Sequence, residues 1–131
     1  YMILSGLLDN PKSDDNKKLI IETSLDRIRQ LSAHEIGHTL GLAHNFISSA
    51  NDRASVMDYP HPKISIVDDK INIDNAYAKN IGEWDKVSIR YAYSDFSNLQ
   101  DESKELNKIL DEAESNFRLN QPLFIESAIY Q

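Results

Sequence analysis

The chain contains no cysteine in its 131 residues. Neither a disulfide framework nor a thiolate metal site is available, so any metal would have to be held by histidine and carboxylate. Lack of cysteine is compatible with any compartment. Basic charge is also in short supply: 14 Lys and Arg against 21 Asp and Glu leave a net charge of −7. No basic patch stands out that would suit nucleic acid or an anionic membrane, and the acidity reads as a solvated surface. No apolar run approaches the roughly 18 to 20 residues needed to span a bilayer. There is no signal peptide, and Tyr1 stands where an initiator methionine would be expected. The opening YMILSGLLDNP therefore reads as the start of a piece cut from a longer protein, with any targeting signal removed. What is present is a globular composition, 40% hydrophobic and 27% charged, at the length of one domain.

Glycine is scarce too, with four in the chain, yet two of them fall in HEIGHTLGLAH, residues 34–44, beside three of the four histidines. Around that stretch the pattern is coarse but readable. Residues 1–8 are apolar, the end of a helix or a buried strand, and DNPKSDDN, residues 9–16, is a polar loop with a proline. Ile21, Leu25, Ile28 and Leu31 recur at spacings of four, three and three, with Arg27, Arg29 and Gln30 off the stripe. They predict one helix from about Lys17 or Ser24 to Leu40, with Gly41 just beyond its end as a C-terminal cap. NFISSANDRAS is a loop, and the two prolines of SVMDYPHP, residues 55–62, exclude a regular helix there. Residues 64–73 read as two β-branched runs joined by Asp68-Asp69-Lys70, a small hairpin. A second helix is expected at about 83–92, burying Trp84, Val87 or Ile89, and Tyr91. A third, within a helical region of about 98–131, would turn Leu99, Leu106, Ile109, Leu110, Ala113 and Phe117 to one face. No internal repeat is visible.

The spacing of the histidines carries chemistry. His34 and His38, four apart on a helix, share one face with Cβ atoms about 5–6 Å apart. Two imidazoles can then converge on one cation at roughly 2.0–2.1 Å each. On a continuing helix His44 would lie some 240° around the axis from His38 and about 9 Å further along. The chain must turn between them, and Gly41 sits midway, where glycine's tolerance of positive φ permits the reversal. Three neutral histidines would leave a fourth zinc position open for water, the arrangement of a catalytic site. Glu35, about 100° around from His34, could then take a proton from that water and carry it to a leaving amine.

HEIGHTLGLAH resembles the extended signature HExxHxxGxxH of the metzincin metalloproteases, and Met57, thirteen residues past His44, stands where their Met-turn is expected. The resemblance implies that His34, His38 and His44 bind zinc, that Glu35 is the catalytic base, and that Met57 forms an apolar floor beneath the metal. In some metzincins a tyrosine two residues after that methionine reaches the metal or the oxyanion. Tyr59 matches that position, and it reads equally well as a tyrosine in a proline-bracketed loop. For His61, a cleft-wall or solvent role is favoured over a fourth ligand. RIRQLSAHEIGHTLGLAHNF, RASVMDYPHP and IGEWDKVSIRYAY look more closely like landmarks of a group of bacterial, Bacteroidetes-type zinc metalloproteases with a domain-of-unknown-function label. That likeness covers roughly residues 18–95 and is loose beyond. Asn45 departs from the residues that mark the better-known metzincin subfamilies.

The fold so implied is mainly α with a small β-hairpin. It would be the C-terminal part of an α+β metzincin-like (zincin) catalytic domain, with residues 1–131 a single-domain fragment. Metzincin domains put a twisted sheet and a backing helix before the zinc helix, and the 33 residues ahead of His34 are too few for that sheet. The function implied is a zinc endopeptidase acting on a peptide or protein substrate through a zinc-bound water, secreted, periplasmic or at the cell surface. Three other readings stand beside it: a non-catalytic zinc-stabilised binding module, an inactive fragment of the protease, and a zinc hydrolase acting on a non-peptide amide.

Overall fold

The structure is a computed structural model, and it describes residues 5–8, 10, 12–59, 61–96 and 101–118. The longest element among them, α1 (Asp14–Thr39), carries the motif. The helix starts ahead of Lys17, inside the segment expected to be a loop, because Ser13 caps it: the Ser13 hydroxyl oxygen accepts from the Asn16 N–H at 3.2 Å. Asp14 and Asp15 then complement the positive end of the helix dipole.

The inward face of α1 is Ile20, Thr23, Asp26, Gln30, His34 and Gly37. Ile21, Leu25, Ile28 and Leu31, the apolar stripe, face outward, Ile28 being 59% exposed. Rigid helix geometry accounts for this orientation. Leu25 lies nine residues before His34, half a revolution around the axis at about 100° per residue, so turning His34 inward turns Leu25 out. Among the described residues no element covers that stripe. The polar groups on the inner face are satisfied instead of replaced: Asp26 accepts from Arg29 at 2.6 Å and lies 3.8 Å from Lys79, and Gln30 accepts from Arg27 at 2.8 Å.

After α1 the expected loop contains a short 3-10 helix, Phe46–Asn51. The buried Asp58 carboxylate holds it, accepting from Ser48 Oγ at 3.1 Å and from the Ser49 N–H at 3.0 Å. The hairpin follows as β1 (Ser65–Val67) and β2 (Lys70–Asn72), antiparallel with Ile66 opposite Ile71. Its turn is Asp68-Asp69 alone, both at positive φ, as a two-residue type I′ connection demands; Lys70 already belongs to β2. Helix α2 (Glu83–Tyr93) and helix α3 (Glu102–Arg118) then pack on each other, bridged by the Arg90–Glu112 ion pair. Trp84 and Val87 pack against Ala54 and Ala113 as expected of a bracing helix, whereas Tyr91 is exposed at 41% and Asp85 is the buried residue of α2. Ile109 and Ala113 are buried on α3; Leu99, the side chain of Phe117 and residues 119–131 lie outside the described residues.

Two small apolar clusters hold these parts together. One joins Ile20 to Ile73 and Ala76, with Leu7, Leu8, Leu19 and Tyr77 around it; the other is the Ala54–Ala113 contact with Ile47, Trp84 and Val87. No helix among the described residues is long and apolar enough to cross a membrane.

Candidate metal centre

The end of α1 is built to reverse the chain. Thr39 is its last residue and Gly41 follows at φ +83°. The Leu42 N–H donates to Gly37 O and the Gly41 N–H to His38 O, each at 3.0 Å, which is the Schellman pattern. Tyr93 Oη, reaching over from α2, donates to Leu40 O at 2.8 Å and ties the bracing helix to this turn. A Cβ at Gly41 would meet nothing within 4 Å, so the demand for glycine is purely one of backbone conformation. Gly41→Ala should therefore cost about 1–2 kcal/mol, the penalty for a left-handed non-glycine residue, read as a lower urea midpoint with an unchanged slope.

The reversal brings the three histidines together. His38 Nε2 lies 3.1 Å from His34 Nε2 and 3.2 Å from His44 Nε2, and ligand nitrogens of all three lie within 4.8 Å of one another. Donors at roughly 2.0–2.1 Å from a tetrahedral ion are separated by about 3.3 Å, so these edges have the length a shared zinc requires. The ring nitrogens on the far side support the same assignment. His34 Nδ1 meets Val56 O at 2.7 Å and His38 Nδ1 meets Leu42 O at 2.9 Å. A carbonyl oxygen only accepts, so both rings carry their proton on Nδ1 and present bare Nε2 lone pairs to each other. Facing lone pairs repel unless a cation sits between them. The donor set fits zinc.

Met57, 2% exposed, lies beneath the inner face of α1. A Cβ at Gly37 would overlap the Met57 sulfur, which explains a glycine inside the last turn of α1 that the histidine spacing does not account for. The Met57 carbonyl accepts from the Asn45 N–H at 2.8 Å, so the residue directly after the third histidine is stitched to this loop through its main chain. Tyr59 reaches the cluster: its Oη is 3.3 Å from His44 Nε2, its ring centroid 4.5 Å from that of His34, and it is 48% exposed. Phe46, also exposed, lies against the His44 ring with centroids 5.0 Å apart. Glu35 follows His34 on α1 with an exposed side chain that makes no hydrogen bond among the described residues. His61 is exposed and stands outside the cluster.

Two residues that spacing does not single out complete the support. Gly82 precedes α2 so closely packed on the chain before Met57 that a Cβ there would overlap the Ala54 carbonyl. Asp85, 3% exposed, accepts from Ser55 Oγ, from the Val56 N–H at 2.8 Å and from the Gly82 N–H at 2.7 Å. A close main-chain contact marks the first and a buried carboxylate the second, and neither is visible until α2 and residues 54–57 are seen together.

Three imidazoles from an interrupted helix, set over a buried methionine, are the centre of a zincin-type protein. A family model described as Met-zincin matches residues 16–121, and the chain belongs to that family. The match runs past residue 95, where the sequence likeness is loose, and takes in α3. No curated protein and no solved structure matches the chain.

Proposed function

We propose that the chain is the zinc-bearing part of an endopeptidase catalytic domain that hydrolyses peptide bonds. The observation that carries this is the set of Nε2 atoms at 3.1 and 3.2 Å, those of His34 and His38 held in one tautomer by main-chain carbonyls. Family membership supports it independently. His34, His38 and His44 would hold the metal through Nε2. When bound, zinc supplies a Lewis acid that polarises a carbonyl and makes water a nucleophile near neutral pH.

The remaining steps fall to side chains. The Glu35 carboxylate accepts the proton of the attacking water and delivers it to the departing amine nitrogen. Tyr59 Oη, at the exposed rim of the cluster, donates to the oxygen that gains charge as the carbonyl carbon becomes tetrahedral. A cavity of about 240 Å³ lies beside His44 and Met57, walled by Leu42, Phe46, Ile47 and Trp84. It is smaller than the roughly 300–1,000 Å³ typical of drug-sized ligand sites and suits a single side chain. Action in the periplasm, at the cell surface or after secretion belongs to the same proposal.

Metal analysis of the purified protein combined with cleavage of a peptide library tests it. Close to one zinc per chain, with cleavage lost on chelation and regained on zinc addition, is the expected result. Zinc without cleavage would favour the binding module instead, and no bound zinc would end the metal reading.

A further inference from the structure

We propose that Asp85 is a positioning residue for His34, acting through the main chain of residues 55–57; the inference rests on the metal reading of the three histidines. The connection is short. The Asp85 carboxylate accepts from Ser55 Oγ and from the Val56 N–H, and the Val56 carbonyl in turn accepts from His34 Nδ1 at 2.7 Å. Ser55 Oγ, besides donating to Asp85, accepts from the Met57 N–H at 2.9 Å, so Met57 is fixed from the same carboxylate. Met57 packs its sulfur against Gly37, one turn of α1 beyond His34.

An aspartate in the first turn of a helix has an ordinary explanation as a cap. That role accounts for the Gly82 N–H at 2.7 Å and for nothing else in this arrangement. A capping carboxylate keeps its other lone pairs in water, where they cost nothing. Asp85 is 3% exposed and gives those lone pairs to Ser55 and Val56. Burying an ionised carboxylate is unfavourable unless donors replace the lost water, and here three do. The burial therefore fixes a segment whose Val56 carbonyl sets the tautomer and direction of a ligand ring. Outer partners of this kind orient metal ligands and tune affinity.

The test is zinc affinity, measured by competition with a chromophoric chelator, and the visible absorption of the cobalt(II)-substituted protein, on the full chain. Asp85→Ala strips the acceptor from all three donors and should weaken zinc by about 10- to 100-fold and change the cobalt spectrum. Asp85→Asn should restore affinity to within a few-fold. Its amide oxygen can accept from both main-chain N–H groups while its NH₂ donates to Ser55 Oγ. Ser55→Ala should fall between. Ile109→Ala, in the buried face of α3 and outside the hydrogen bonds that join Asp85 to His34, should lower thermal stability and leave the cobalt spectrum unchanged.

Asp85→Ala with wild-type affinity and spectrum would overturn the proposal, as would Ile109→Ala weakening zinc as much as Asp85→Ala does. If Asp85→Ala does not fold, a Ser55→Ala protein with wild-type affinity and spectrum overturns it equally. Failure of the wild-type chain to bind zinc or cobalt is a different result, because it removes the metal reading itself.

Discussion

Glu35→Gln should leave zinc content unchanged and lower turnover by about 10²- to 10⁴-fold, the usual contribution of a positioned general base. The two effects separate because the glutamate holds no other part of the site. Its side chain is exposed and makes no hydrogen bond among the described residues, so the amide disturbs neither α1 nor the imidazoles. His34 and His38 keep their carbonyl partners, Val56 O at 2.7 Å and Leu42 O at 2.9 Å, and with them their tautomer. What is lost is an acceptor able to become a donor: a glutamine oxygen can receive a hydrogen bond from water but cannot take its proton away. Zinc stoichiometry and steady-state kinetics on one preparation check both halves. Undiminished turnover with full zinc would remove Glu35 from the mechanism, whereas loss of zinc would make it a ligand or a folding residue.

Gly82→Ala should be the most destabilising of the glycine substitutions, about 3 kcal/mol, at the upper end for forcing an atom into a packed interior. Here the obstacle is main chain: the added methyl would occupy the place of the Ala54 carbonyl and crowd the Ser55 nitrogen. Relief requires α2 to move away from residues 54–55. That breaks the Trp84 N–H bond to Ala54 O at 2.9 Å and draws Asp85 off Ser55 and Val56. The contrast with Gly41→Ala is informative, since there the cost is conformational with no neighbour to displace. Urea unfolding of the two variants side by side decides it. A Gly82→Ala loss no larger than that of Gly41→Ala would mean that α2 does not rest on the Ala54 carbonyl.

Much of the centre is legible in the amino-acid order because it obeys local geometry. His34 and His38 at four-residue spacing share a helix face whatever the rest of the chain does, and Gly41 occupies the place where the helix must stop for His44 to return. The same holds for the hairpin, where Asp68-Asp69 between β-branched runs can close only one way, and for the existence of α2 and α3. The start of α1 is a case of two local signals in conflict. Pro11 and a run of polar residues look like a loop, while Ser13 with two following aspartates marks a helix start, and in the folded chain the second prevails.

Periodicity alone does not assign the faces of α1. It marks Ile21, Leu25, Ile28 and Leu31 as one side but says nothing about which side turns inward, and burial of His34 and Gly37 against Met57 decides that they turn out. Asp85, Gly82 and Gly37 belong to the same class. Each is explained by a partner at least twenty residues away in sequence, Ser55 and Val56 for the first, Ala54 for the second and Met57 for the third. What the amino-acid order determined is the ligand set and the turn that closes it, because helix pitch and glycine's conformational range act over a few residues. What only the tertiary structure decided is how that set is held: which histidine nitrogen is left bare and which buried carboxylate anchors the loop. Those depend on contacts between segments distant in the chain, which no local pattern encodes.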